Sequence, residues 1–266
     1  MSTQDLGTLR TQLASTGYLV DDGLAMAQIL ARRHGLPLLL EGEPGVGKTT
    51  AAKSLAAALD TDLIRLQCYE GISASEALYE WNYPRQLLGI RVAEANDDAV
   101  GADELFAEEY LLDRPLLQAL RHGGPTPPVL LIDEIDRADD EFEALLLEFL
   151  GEWSLTVPEI GTFTATEAPI VILTSNRSRE LHDALKRRCF YHWIEYPSPA
   201  RTAEIVRSRV DGASEPLVRA ATAFVSSSRS LDLDKPPGVA EAIDWVSALS
   251  ALGVADLTHD DAVATI

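Results

Sequence analysis

The sequence predicts an α/β fold: a five-stranded parallel sheet sandwiched by helices, followed by a small C-terminal domain made only of helices. Three observations predict it. Short apolar runs such as Leu36-Pro-Leu-Leu-Leu40 and Val129-Leu-Leu-Ile132 alternate with helical stretches, the pattern of strands covered on both faces. A glycine-rich turn joins the first of these runs to an alanine-rich helix. After Pro197-Ser-Pro199 the apolar runs stop and only helical patterns remain. The expected boundaries are 1–197 for the α/β domain, with an insertion at about 68–112, and 198–266 for the helical domain.

Taken in order, residues 21–35 predict a helix: acidic residues open it, arginines fill its last turn and Gly35 stops it. Leu36 to Leu40 is a short apolar strand, 42–47 a Gly/Pro-rich turn, 48–59 an alanine-rich helix and Asp62 to Gln67 a strand. Residues 68–112 are aromatic, acidic and irregular with short helical pieces, and read as an insertion into a simpler framework. A helix at 114–121 leads through the loop His122 to Pro128 into the strand Val129 to Asp133. A helix is expected near 137–150, then a small β-ribbon at 154–166 with Gly161 near its turn. Ile170 to Thr174 is a further buried strand, 180–187 a helix and Cys189 to Tyr196 the last strand. Ser198 can cap a helix that has Pro199 at its first position. Helices are expected at 199–210, 215–228 and 238–251. Thr258 and Asp261 have the spacing of a capping box, but so short a final helix is marginal alone, and a frayed or truncated end is expected at Ile266.

Among the 266 residues 22 are basic and 42 acidic, for a net charge of −20 and a pI near 4.5. Such a surface repels phosphate backbones and argues against general nucleic-acid binding. The only lysines are Lys48, Lys53, Lys186 and Lys235. Cys68 and Cys189 are too few for a disulfide framework. The N-terminus lacks the basic and apolar regions of a signal peptide. No apolar run approaches the ~20 residues that a membrane helix needs. A cytoplasmic protein without membrane association is the expectation.

Chemistry concentrates at three strand ends. Gly42-Glu43-Pro44-Gly45-Val46-Gly47-Lys48-Thr49 fits G-x-x-x-x-G-K-[ST] between a strand and a helix, and with Thr50 it forms the candidate nucleotide-binding set. Main-chain N–H groups of such a turn can point at phosphate oxygens, and the helix N-terminus favours negative charge. Lys48 can reach the β- and γ-phosphates, and the Thr49 hydroxyl can ligate Mg²⁺. At the second strand end, Asp133 and Glu134 are adjacent carboxylates where ligands of parallel sheets bind. Asp133 would hold Mg²⁺ through water, and Glu134 would activate the attacking water. Taken alone, each pattern also fits a plain turn; together they point to nucleotide hydrolysis. Asn176, ending a third strand, can orient the water, or can be an ordinary turn residue.

These strand ends resemble those of the AAA+ ATPases: phosphate loop, Asp-Glu pair and a polar sensor residue. The helical region after residue 197 resembles their lid. The resemblance implies ATP and Mg²⁺ as cofactors and ATP hydrolysis as the activity. It also implies an arginine finger, supplied in trans, at Leu185-Lys-Arg187-Arg188-Cys-Phe190, with Arg188 first and Arg187 second. A surface basic cluster is the plainer reading of that doublet. Leu66-Gln-Cys-Tyr-Glu-Gly71, Leu78-Tyr-Glu-Trp-Asn-Tyr-Pro-Arg-Gln-Leu87, Arg188 to Pro197 and Lys235 to Trp245 look like the MoxR group, in its CoxD-like branch. The resemblance covers about residues 17–250. It implies an ATP-driven chaperone of metalloenzyme maturation, of carbon monoxide dehydrogenase and related molybdenum hydroxylases. It further implies a homo-oligomeric ring, hexameric by family habit, and a co-factor protein with a von Willebrand factor A domain. One departure is visible: where many MoxR proteins carry a sensing arginine in a Gly-Ala-Ser-Pro-Arg segment, this chain reads Lys235-Pro-Pro-Gly-Val-Ala, and that role stays unassigned.

Weaker candidates remain. Cys189 and His192 have C-x₂-H spacing, but two ligands make no metal site, and core packing is favoured. Tyr79, Trp81 and Tyr83 alternate as on one face of a strand, either core or a partner surface. The acidic stretch 94–109 reads as a solvated face. Among competing functions, a nucleic-acid-associated AAA+ NTPase of restriction or translocase type is the alternative, against the charge. A GTPase would need Asn-Lys-x-Asp, and no lysine here follows an asparagine. The Asp-Glu pair and the lid-plus-finger layout speak against a small-molecule kinase.

Overall fold

A computed structural model of the chain describes residues 3–96, 101–231, 233 and 235–265. It opens with helices α1 (Thr3–Ser15) and α2 (Asp22–His34), strand β1 (Leu38–Gly42), helix α3 (Lys48–Ala58) and strand β2 (Leu63–Gln67). The segment expected to be an insertion holds α4 (Ala74–Ala77), β3 (Tyr79–Trp81), α5 (Tyr83–Ala95), α6 (Ala102–Leu105) and β4 (Leu111–Asp113). Then come α7 (Pro115–Arg121), β5 (Val129–Asp133), α8 (Asp140–Glu152), β6 (Ser154–Val157), β7 (Gly161–Thr164), β8 (Ile170–Ser175), α9 (Asp183–Lys186) and β9 (Phe190–Ile194). The chain continues with α10 (Pro199–Arg209), α11 (Glu215–Ser228), α12 (Val239–Ala251) and α13 (His259–Thr265).

Five strands form one sheet in the order β2-β5-β8-β1-β9. β2 and β5 pair in parallel with Gln67 level with Asp133, and β5 and β8 pair in parallel with Ile132 level with Leu173. That register sets Gln67, Asp133 and Thr174 at one end of the sheet, the carboxyl end where ligands bind in parallel sheets. The chain divides into two units, and β1 and β9 each have residues in both. One unit comprises Met1–Ile29, Leu40–Ala58 and His192–Ile266; the other comprises Leu30–Leu39 and Leu59–Tyr191.

In the second unit a continuous apolar core joins β5 (Leu130, Ile132) to α7 (Leu116, Leu117, Leu120) and α8 (Phe142, Leu146, Phe149). Burying each such side chain contributes roughly 1.5–3 kcal/mol before chain entropy is counted. In the first unit α10, α11 and α12 enclose their own core around Val206, Leu217, Ala221, Val246 and Leu249, each fully buried. Ser198 and Ser214 cap α10 and α11 by accepting from the N–H groups of Arg201 and Leu217. Thr258 and Asp261 bond reciprocally, as their spacing predicts. Trp245 Nε1 donates to Thr265 Oγ1, which ties α13 to α12. Ile266 lies outside the described residues.

The structure departs from expectation in four places. Helix α1 precedes the first expected element; its low amphipathicity hides it. β1 starts two residues late, because Leu36 is exposed and Pro37 has no N–H to donate, offering only its carbonyl to Phe190 N–H. The expected helix 180–187 shrinks to α9, because His182 N–H is taken by Glu143 Oε2. In the segment 68–112, of which 97–100 lie outside the described residues, the described part holds more regular structure than its sequence suggests. β3 and β4 pair antiparallel, with Trp81 opposite Leu111 and edge-on to Phe106 at 5.2 Å between centroids. Helix α5 escapes a periodicity reading because Leu87, Leu88 and Val92 face solvent. The alternating aromatics split: Tyr79 and Trp81 pack on the core, while Tyr83 is exposed in α5.

Candidate functional site

In the first unit the phosphate loop leaves the buried strand β1 and opens α3. Its shape depends on glycine. A Cβ on Gly42 would collide with the Ile194 carbonyl oxygen. Gly45 has φ +77° and lies against Gly238, whose Cα would be 3.0 Å from an added Cβ. Gly47 leads into α3 with φ +100°. Lys48 is buried, 7% exposed, and its Nζ donates to the carbonyls of Gly42 (2.6 Å) and Glu43 (2.9 Å). Burying an ammonium is costly unless it is bonded, and these carbonyls bond it at the start of a helix, where an anion is favoured. Val46 is buried, whereas Glu43 and Pro44 are not.

Beside the loop lies a cavity of about 940 Å³, at the upper end of small-molecule sites. Gly45, Gly47, Thr49, Thr50 and Lys53 line it from the loop and α3, Tyr18 from the N-terminal segment, Ile194 from β9 and Val239 from α12. Burial, then Asp21, pushes the Tyr18 phenol well above its ordinary range, so it stays neutral. The loop is a cradle that Cβ atoms would fill, with a buried cation at its base. These residues fit a nucleotide triphosphate, and the Thr49 hydroxyl fits a hard cation bound with it.

The helical region meets the loop directly. Val239 N–H donates to Gly45 O at 3.0 Å, and Tyr196 Oη donates to Pro44 O at 3.2 Å. The Arg229 guanidinium stacks on the Tyr196 ring, 4.2 Å from its centroid. Lys235 is exposed. Arg229 sits in no motif, and nothing within the segment Arg188 to Pro197 singles out Tyr196.

In the second unit Asp133 ends β5 with a buried side chain. Its Oδ1 accepts from Thr174 Oγ1 at 2.6 Å, and its Oδ2 accepts from Arg65 Nε at 3.0 Å and Nη2 at 2.6 Å. Glu134 follows in the left-handed region, φ +56° and ψ +49°, an unusual backbone for a non-glycine residue and one that gathers at functional sites. Its N–H donates to Thr174 Oγ1 at 2.9 Å. Its Oε2 accepts from Gln67 Nε2 at 3.1 Å and Arg137 Nη1 at 3.2 Å. Two neighbouring carboxylates, one buried at a strand end and one accepting from Gln67 and Arg137, suit a metal ligand next to a general base. Asn176 directly follows β8, half-buried, at the same end of that strand as Thr174. Arg65, Gln67 and Thr174 escape sequence reading, because their significance lies in cross-strand register.

Both candidate finger arginines follow α9 and are exposed. Arg188 donates to Leu147 O in α8, whereas Arg187 has no side-chain partner among the described residues. Cys189 packs on the apolar core. Among the described residues no group of three or more His, Cys, Asp or Glu could hold a metal, and no helix is long and apolar enough to cross a membrane.

A parallel α/β sheet carrying a phosphate loop and a strand-end Asp-Glu pair defines a P-loop nucleotide-binding protein. Residues 38–197, more than half of the chain, match the family described as "ATPase family associated with various cellular activities (AAA)". The chain belongs to that family. It is 27% identical over 187 residues to the denitrification regulatory protein NirQ of Pseudomonas aeruginosa, covering 66% of this chain and 61% of that protein. It is 30% identical over 161 residues to the Lon protease of Halothermothrix orenii, covering 55% of this chain and 17% of the protease. The chain thus spans less than two thirds of either relative. Among solved structures, a proline-to-glycine mutant of Thermotoga maritima RuvB superposes with a TM-score of 0.53 at 17% identity, covering 98% of this chain and 69% of that one. A threonine-to-valine mutant of the same protein gives 0.50 at 18% identity, covering 97% and 67%. At such identities the likeness is one of fold.

Proposed function

We propose that this AAA protein is an ATP-hydrolysing chaperone of the MoxR type, in its CoxD-like branch. It would remodel a protein partner during maturation of a metalloenzyme such as a molybdenum hydroxylase or carbon monoxide dehydrogenase. The observation that carries the ATPase reading is the buried Lys48 ammonium within a glycine-built loop beside a nucleotide-sized cavity. In this reading Gly42 to Thr50 hold the phosphates, and Thr49 and Asp133 hold Mg²⁺, which supplies charge neutralisation when bound. Glu134 takes the proton of the attacking water, and Asn176 orients that water.

Residues 1–197 would be the nucleotide-binding domain and 198–266 its lid. Arg188 or Arg187 would reach the γ-phosphate of a neighbouring copy, so the working form would be a homo-oligomeric ring, with six subunits the family habit. The exposed guanidinium of Arg187, unpartnered among the described residues, supports keeping it beside Arg188 as the finger. A co-factor protein with a von Willebrand factor A domain and a cytoplasmic location complete the proposal. The net charge of −20 supports a protein client over a nucleic acid.

The test is Glu134→Gln. An amide cannot take the water's proton, so ATP should still bind while turnover falls by about 10²–10⁴. Calorimetry with ATP and a phosphate-release assay on the same preparation decide it, and normal turnover in the variant removes the assignment. Affinity capture on the trapped ATP state then asks for the client.

A further inference from the structure

The two strand-end carboxylates are linked through a side chain that no motif contains. Arg65 lies in the middle of β2, level with Leu131, and its guanidinium runs along the sheet toward the carboxyl end. Nε and Nη2 both donate to Asp133 Oδ2, at 3.0 and 2.6 Å. Nη2 also donates to Gln67 Oε1, and Gln67 Nε2 in turn donates to Glu134 Oε2 at 3.1 Å. The connection is therefore continuous: Asp133, Arg65, Gln67, Glu134.

The chemistry of the middle link gives this chain a direction. A guanidinium only donates, so the amide of Gln67 must turn its oxygen toward Arg65. Its NH₂ group is then aimed at Glu134 and addresses that carboxylate as an acceptor. Without Arg65 the amide is free to flip and present its oxygen to Glu134, which repels the charged form. At the other end, a cation on Asp133 Oδ2 opposes any second cation that approaches the same carboxylate. Arg65 is about half exposed, so its effect is graded by solvent rather than absolute.

We infer that Arg65 is a positioning residue for hydrolysis: it counters the charge of the Mg²⁺-ligand Asp133 and, through Gln67, fixes the orientation of the general base Glu134. The inference rests on the ATPase reading above. It makes Arg65 and Mg²⁺ compete at Asp133, and it makes the competence of Glu134 depend on an arginine that reaches it through Gln67.

Two variants separate the two arms. Arg65→Gln removes both the charge at Asp133 and the donor to Gln67. Arg65→Lys keeps a charge near Asp133 but has no second N–H in a fixed fork for Gln67. Mg²⁺ is titrated calorimetrically into the ADP-loaded protein, and ATP hydrolysis is measured on the same samples, with thermal melting as a check of folding. Arg65→Gln should tighten Mg²⁺ by about threefold and lower kcat by about tenfold with the ATP KM unchanged. Arg65→Lys should leave the Mg²⁺ affinity within about twofold while kcat falls by a similar factor to that of Arg65→Gln. A merely structural ion pair would move the melting temperature and leave both the Mg²⁺ affinity and the KM-against-kcat split untouched, and that result overturns the inference. If the wild-type protein binds nucleotide with Mg²⁺ and hydrolyses it, failure in the variants falls on Arg65 alone. If the wild type does neither, the ATPase reading falls and takes this inference with it.

Discussion

Lys48 is held by two main-chain carbonyls, those of Gly42 and Glu43. Asp133 and Glu134 are held by the side chains of Arg65, Gln67, Arg137 and Thr174, drawn from two neighbouring strands and a following turn. One region is assembled by local backbone shape, the other by cross-strand register. Each is therefore vulnerable in its own way. A backbone-built loop tolerates most side-chain changes but not a lost cation or a lost glycine. A side-chain network feels every member, each by a moderate amount.

The strongest challenge to the first half is a pair of loop variants. Lys48→Ala should abolish nucleotide binding, since no other lysine in the loop can meet the phosphates. Glu43→Ala should leave affinity within about twofold, because residue 43 serves the lysine through its carbonyl alone. Nucleotide titration of both decides it. Equal losses in the two would erase the contrast, since the loop would then be reading side chains too.

Next in size is the arginine doublet, which belongs to neither assembly. If a finger acts in trans, its removal should lower hydrolysis by about 10³–10⁵ with ATP affinity nearly intact. Arg188 is bonded to Leu147 O, and Arg187 is unpartnered among the described residues, so single alanine variants of both are needed. Mixing the inactive finger variant with Lys48→Ala should restore some activity where a good loop meets a good finger. Wild-type rates in both single variants would remove the ring mechanism.

The same contrast explains what can be read from the residues. The phosphate loop, the Asp133-Glu134 pair and all five sheet strands are legible, because backbone-built features leave compositional marks: glycines at a turn, apolar runs, a serine before a proline. Strand ends move by one or two residues where a proline or an exposed leucine intervenes. Arg65, Gln67 and Thr174 leave no mark, since only register brings residues 65, 67, 133 and 174 together. The β3–β4 pair and α5 are hidden for a related reason. Their strands are three residues long and the helix carries apolar residues on its solvent side, so neither shows a period. The Arg229–Tyr196 stack beside the loop is a contact between segments far apart in sequence, and no local pattern encodes it.

Thr174 offers a smaller, more exact probe of the network. Its buried hydroxyl donates to Asp133 Oδ1 and accepts from Glu134 N–H. Thr174→Val keeps the shape and removes both bonds, which leaves an N–H unpaired at a residue already in the left-handed region. A loss of about 1–3 kcal/mol is expected in urea unfolding, with Thr174→Ser close to wild type. A neutral Thr174→Val would mean that the carboxylate end does not depend on its side chains in the way the contrast with the loop requires.

The weakest effect, absent at neutral pH, reports the electric field of the carboxylate region. Cys68 follows Gln67, is fully buried, and its N–H donates to Asp133 O at 2.8 Å. Burial first, then the charges of Asp133, Asp136 and Glu134, push its thiol from an ordinary 9.0 up to about 12. Above pH 9.0 the unfolded chain releases this proton and the native chain keeps it. The unfolded state then binds fewer protons, so stability falls as pH rises, by about 1.4 kcal/mol per pH unit until the native thiol itself ionises near 12. Below pH 9.0 both states hold the proton and the thiol adds no pH dependence. Cys189, pushed to about 12 by burial alone, contributes its own slope and serves as the reference. Urea unfolding of wild type, Cys68→Ala and Cys189→Ala should each be followed between about pH 8 and 10.5. Cys68→Ala carries a packing cost at every pH, so the informative quantity is the slope, which should flatten in both variants. Lowering the local charge with Glu134→Gln should bring the Cys68 thiol down, so that its alkylation starts at a lower pH than in wild type, while that of Cys189 is unmoved. An unchanged onset at Cys68 would show that the Glu134 charge does not reach the thiol, leaving burial with Asp133 and Asp136 to hold it.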